Sequence, residues 1–185
     1  MRIAVAAILL LAWAQSAWAQ SERVVEIPSR GEAIRALLLQ PAQPTGSVIL
    51  LAGGAGRLDI GSDGSVAALR GNQLVRTRAA YAAAGLATLV PDVAPGHKTS
   101  DGVARGYRWS AEHGRDLAAL VAFMRTIRPP VVVVGTSRGA ASAGALLREA
   151  EGAGRPDGMV LTAPMLMPTA ERQPSLQGRI ANANA

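Results

Sequence analysis

The residues best placed to do chemistry lie in Val131–Ala140, VVVVGTSRGA, where a β-branched run meets Gly135, Thr136, Ser137, Arg138 and Gly139 and an Ala-rich segment follows. The pattern predicts a strand, a sharp turn and a helix. A Gly-X-Ser-X-Gly turn in that setting holds the serine backbone in a strained conformation, and the flanking glycines let neighbouring backbone approach closely. Ser137 Oγ is then exposed above the sheet as a nucleophile. In a chain with 20 glycines the pentapeptide alone is a weak signal, and a glycine-rich turn with an incidental serine is the competing reading. The strand and helix on either side supply the context that favours chemistry. A second glycine cluster, Gly53, Gly54, Ala55 and Gly56, follows the apolar run Ser47–Ala52. Backbone N–H groups without intervening side chains can come close to a developing negative oxygen. The dinucleotide pattern fails here, because Gly54, Ala55, Gly56, Arg57, Leu58, Asp59 lacks the last glycine, and no Gly-Lys completes a phosphate loop.

With these two segments in this order, the chain resembles the α/β-hydrolase family from about Val24 to the segment after Pro164. The resemblance implies that Ser137 attacks an ester or related acyl carbonyl of a small-molecule substrate. It also implies an oxyanion hole made by the backbone N–H of Arg138 and of the Gly54–Ala55 loop, with no metal or organic cofactor. The family order is nucleophile, acid, histidine, and the sequence departs from it: none of the residues from Arg138 to Ala185 is a histidine. The two histidines, His97 and His113, both precede the serine. The expectation is therefore a hydrolase by descent, an interrupted copy of a longer enzyme, with low activity as the chain stands. The alternative is a noncatalytic remnant or small-molecule-binding domain that keeps the fold.

The elements that must position Ser137 read as follows. Arg23–Ser29 and Ala33–Gln40 suggest two strands joined at Arg30 and Gly31. Pro41, Pro44 and Gly46 break the chain before Ser47–Ala52, whose unbroken apolar character fits a strand covered on both faces. Residues 57–71 carry Leu58, Ile60, Val66 and Leu69 without a period and are expected to form an irregular loop walling the pocket, with Asp59 and Asp63 solvated. Asn72 caps a predicted helix running to Ala84, Gly85 stops it, and Leu86–Val90 forms the next strand. The loop from Val93 to Trp109 then lies at the carboxyl ends of the strands, where open α/β sheets bind ligands. Ser110 caps an amphipathic helix with Leu117, Leu120, Val121 and Met124 at helical spacing, ended by Pro129 and Pro130. A crossover helix starts at the sheet edge where its strand ends, so His97 and His113 are candidate pocket residues or replacement bases. Asp92 and Asp101 are carboxylates on the same side, and the triad acid is left unassigned. Gly158–Ala163 gives a sixth strand near an edge. The fold class is α/β: a mostly parallel open sheet of about six strands after an antiparallel start, with helices on both faces.

Composition bounds the rest. With 185 residues, 49% of them hydrophobic and 17% charged, the chain fits a single globular domain. Met1 and Arg2, the apolar run from Ile3 to Ala14, and Ala17–Trp18–Ala19 read as a secretory signal over residues 1–19, cleaved before Gln20. The run is too short for a bilayer span, so no stable membrane span is expected after cleavage. The hydrolase-like domain covers 20–167, and 168–185 is an irregular tail. A periplasmic or secreted location follows, and without cysteine the core must hold the domain without disulfides. The net charge of +6 comes almost wholly from arginine, Lys98 being the only lysine. The arginines are scattered and aromatics are 3%, which argues against nucleic-acid binding. No metal site and no particular oligomeric state are indicated.

Overall fold

A computed structural model describes residues 21–165, so the signal at 1–19 and the tail at 168–185 lie outside the described residues. The chain opens with β1 (Ser21–Ser29) and β2 (Glu32–Gln40), an antiparallel hairpin in which Ser29 pairs with Glu32. Its two-residue turn places Arg30 at φ 48° and Gly31 at φ 83°. Two successive positive φ values match the right-handed twist of the flanking strands, as tight hairpins require. After β3 (Gly46–Leu51) come two short helices, α1 (Gln73–Arg76) and α2 (Arg78–Ala83), then β4 (Leu86–Pro91). A small hairpin, β5 (Lys98–Thr99) with β6 (Gly102–Val103), sits in the following loop. Then come α3 (Ala111–Ile127), β7 (Val131–Thr136), α4 (Arg138–Glu149) and β8 (Gly158–Thr162).

The main sheet has six strands in the order β1-β2-β4-β3-β7-β8. β2 meets β4 antiparallel, and β4, β3, β7 and β8 run parallel to one another, so the expected antiparallel start and parallel body are both present. β3 is central and completely buried because its side chains feed two cores. Ile49 and Leu51 pack with Leu117, Leu120, Val121 and Met124 of α3 and with Ala143 and Leu146 of α4. Val48 and Leu50 pack on the opposite face with Leu74 and Val75 of α1 and Ala82 of α2. Each such aliphatic side chain contributes roughly 1.5–3 kcal/mol on full burial, which is why this strand reads as a continuous apolar run. No helix among the described residues is long and apolar enough to cross a membrane.

Two expectations are corrected. The single helix from Asn72 to Ala84 is broken at Thr77, whose backbone leaves helical geometry at ψ 2° while its hydroxyl donates back to Gln73 O. Asn72 does cap the first piece, its side chain accepting from Leu74 N at 3.1 Å. The loop at 57–71 does not wall the pocket: Leu58, Ile60 and Val66 turn inward and join the core on the α1/α2 face. Asp92 holds this loop, accepting from the N–H groups of Leu58, Ile60 and Val93 and from Lys98 Nζ.

Candidate active site

Ser137 is the junction between β7 and α4 and adopts φ 52°, ψ −119°. A non-glycine residue there is strained and persists only where the surroundings fix it. The glycines show how. A side-chain carbon on Gly139 would sit 2.0 Å from Leu51 O, and one on Gly135 would meet Gly139 O at 2.8 Å. The first turn of α4 can therefore seat against the ends of β3 and β7 only with glycine at both positions. Ser137 N donates to Thr162 O at 3.0 Å, tying the turn to the end of β8.

The glycine loop after β3 lies against this turn. A Cβ on Gly53 would approach Ser137 Cβ to 3.0 Å and Thr136 O to 2.8 Å. Gly54 takes φ +62°. Gly54, Ala55 and Arg138 line one cleft of about 170 Å³ together with Asp101, Arg108 and Trp109. The three residues expected to carry oxyanion donors are thus brought to one cleft. Arg138 is the first residue of α4, where a backbone N–H has no carbonyl four residues back within the helix, and the helix dipole adds positive potential.

The expected bases fall elsewhere. His97, in a 3-10 turn over Pro95–His97, stacks on Tyr107 with ring centroids 3.7 Å apart, and its Nε2 lies 3.6 Å from Glu112 Oε2. His113 packs tilted against the same tyrosine at 4.7 Å, with its Nε2 enclosed and without a hydrogen-bond partner among the described residues. Burial, reinforced by the Arg108 charge, pushes His113 down to about 3. An imidazole that holds a proton so weakly is a poor general base. His113 instead lines a small pocket of about 30 Å³ with Arg108 and Ser142. Among the described residues no side chain hydrogen-bonds to Ser137 Oγ. Neither carboxylate fills the acid's place: Asp92 is taken up by the loop it holds, and Asp101 sits exposed on the cleft rim, accepting from Ser100 Oγ. No group of three metal-ligating side chains occurs among the described residues.

Two residues central to this region were not singled out in the sequence. Asp116 is buried on α3 and accepts from Ser29 Oγ at 2.5 Å, from Arg30 Nε and Nη2 at 2.8 and 2.9 Å, and from Tyr107 OH. Burial alone pushes its carboxyl up, but the donors from Arg30, Ser29 and Tyr107 outweigh this and hold it below the usual range. The same burial and the neighbouring carboxylate push the Tyr107 hydroxyl well above its ordinary value. Arg108 reaches the start of the glycine loop, its Nη2 donating to Ala52 O at 3.3 Å. A polar residue interrupting the apolar stripe of a helix was the only available signal for Asp116.

Three solved structures show what architecture this is similar to. A lipase/esterase from Lactobacillus plantarum is 11% identical, the match covering 88% of this chain and 68% of that one with a TM-score of 0.56. Esterase 2 of Thermogutta terrifontis, phosphorylated by paraoxon, is 14% identical over 82% of this chain and 60% of that one, TM-score 0.57. An α/β-hydrolase enzyme from a Medee basin deep-sea metagenome library is 17% identical over 84% of this chain and 62% of that one, TM-score 0.52. The fold is α/β-hydrolase-like. At these identities the likeness is one of fold, and the chain spans 60–68% of the length of these three structures. No protein-family model and no curated protein sequence matches the chain.

Proposed function

We propose that this chain is an exported serine hydrolase acting on an ester or related acyl substrate through Ser137, with low activity in the form described. The observation that carries the reading is the strained Ser137 backbone, fixed at a strand-to-helix junction with Gly53 packed against its Cβ. In this reading Ser137 Oγ attacks the acyl carbonyl, and the N–H groups of Arg138 and of Gly54 or Ala55 stabilise the oxygen that becomes negative. Collapse of this intermediate breaks the ester C–O bond and releases the alcohol, which takes up the serine proton through solvent. Water then hydrolyses the acyl-serine to the free acid and restores the hydroxyl. Low activity is expected because among the described residues no histidine meets Ser137, and a serine without its triad partners keeps only the part of the rate enhancement due to binding and the oxyanion hole.

The fold likeness to esterases supports the substrate class, and the signal-like residues 1–19 support export. The experiment is covalent labelling of the full chain with a fluorophosphonate, beside Ser137→Ala. Slow incorporation that the substitution abolishes is the expected result, and labelling that persists in Ser137→Ala overturns the assignment. A second reading, a binding domain that keeps the fold, draws on the absent base and the weakly basic His113; complete inertness of Ser137 with retained ligand binding would favour it. Recovery of the exported protein with Gln20 as its first residue, by intact mass, tests the export proposal.

A further inference from the structure

Among the described residues Arg108 is a cation that hydrogen-bonds no carboxylate. It sits in a 3-10 turn, Tyr107–Trp109, entered through Gly106 at φ 78° and followed by the Ser110 cap of α3. Its Nη1 donates to Arg138 O at 3.3 Å and to Ser142 Oγ at 3.0 Å, and its Nη2 donates to Ala52 O at 3.3 Å. Ala52 immediately precedes the glycine loop, and Arg138 and Ser142 belong to the first turns of α4. One rigid, planar group therefore ties together the two segments that carry the proposed oxyanion donors. We infer that Arg108 is a positioning residue that fixes the spacing between the glycine loop and the elbow helix, and this rests on the reading of Ser137 as nucleophile.

Three observations support this. A Cβ on Gly56 would lie 1.8 Å from Arg108 Nη2, so the loop's last glycine is what lets the guanidinium pass beneath it. Burial and the nearby Arg138 charge pull Arg108 down to about 10, so the group remains charged at neutral pH in a place that disfavours charge. Lysine would not substitute, because a single ammonium lacks the planar fork that reaches separate acceptors at fixed angles. Arg108 is itself anchored through its neighbour Tyr107, whose hydroxyl donates to Asp116.

The test uses the full chain with Arg108→Met, Arg108→Lys and, as a milder change that keeps the cation, Ser142→Ala. Amide hydrogen exchange should quicken at residues 53–56 and 138–142 in Arg108→Met while β3 and the body of α3 stay protected. The maximal rate of fluorophosphonate labelling should fall on the order of tenfold to a hundredfold, as expected for a small misplacement of catalytic groups. Half-saturation should change little, and Arg108→Lys should recover only part of the rate. Should Arg108→Met fail to fold, Arg108→Lys and Ser142→Ala must show the same local pattern in weaker form. Unchanged exchange in both segments would overturn the inference, as would an effect confined to half-saturation, which would mark Arg108 as a substrate contact. If the parent chain does not label at all, the hydrolase reading fails, and the exchange pattern alone decides whether Arg108 braces the two segments.

Discussion

Arg30 and Arg108 flank Tyr107 in opposite electrostatic settings. At the hairpin end, Arg30 presents Nε and Nη2 to the two oxygens of Asp116, and Ser29 and Tyr107 satisfy the same carboxylate. At the elbow end, the partners of Arg108 among the described residues are two backbone carbonyls and a hydroxyl. The first arrangement is electrostatically closed, and a partner removed from it leaves a stranded group. The second keeps its positive potential uncompensated next to the backbone donors of the cleft, which suits a site where negative charge develops only during reaction. The contrast separates a closed polar cluster that holds the fold from an open one beside the proposed site.

The comparison breaks most severely at Asp116. Asp116→Ala should lower stability by about 2–4 kcal/mol in urea denaturation, because it leaves the buried Ser29 and Tyr107 hydroxyls without their acceptor. A loss near zero would mean the cluster is not closed in the sense argued. The pH sign follows from the lowered carboxyl: Asp116 stabilises above its ordinary value of 3.8, and the contribution drains away as the pH falls through the lower folded value. At the elbow end, Gly139→Ala should cost roughly 1–3 kcal/mol or more by overpacking, since the added carbon meets Leu51 O. Gly31→Ala, where nothing lies within 4 Å, should cost only about 1 kcal/mol for its positive φ. Equal losses from the two glycines would remove the argument that α4 is seated by close approach.

A pH-dependent effect belongs to His113, between the two arginines. Its folded value near 3 lies below its ordinary 6.5, so the unfolded chain binds the extra proton first. Its contribution is fully present above pH 6.5 and is lost as the pH falls from there towards 3, with a slope approaching about 1.4 kcal/mol per pH unit. His113→Gln should flatten the stability profile in that window relative to the parent. Parallel profiles would show that His113 titrates normally, and the imidazole would return as a candidate base.

The sequence made the local parts of this molecule legible. Arg30–Gly31, the Asn72 and Ser110 caps, the β-branched run into Gly135–Gly139 and the six-strand count all depend on neighbours in the chain, and the structure bears them out. The loop at 57–71 escaped because its apolar residues bury themselves without a period, so spacing carried no sign of which way they point. His113 was read as a candidate pocket residue or replacement base because a helix pattern does not reveal that its tip is enclosed beside a cation. Arg108 could not be found from spacing at all, since an arginine's partners are chosen by what the fold brings within its reach.

The seating of Gly139 under Leu51 has a kinetic consequence. The opening hairpin closes through a two-residue turn, but β3 finds its partners far along the chain, Ser47 pairing with Val131 only after α1, α2, β4 and α3 have intervened. Long loop closures of this kind come late and slow folding more than local pairings do. The backbone twist at Ser137 therefore has nothing to enforce it until β3 and β7 are side by side, and the strained turn is among the last features of the molecule to exist.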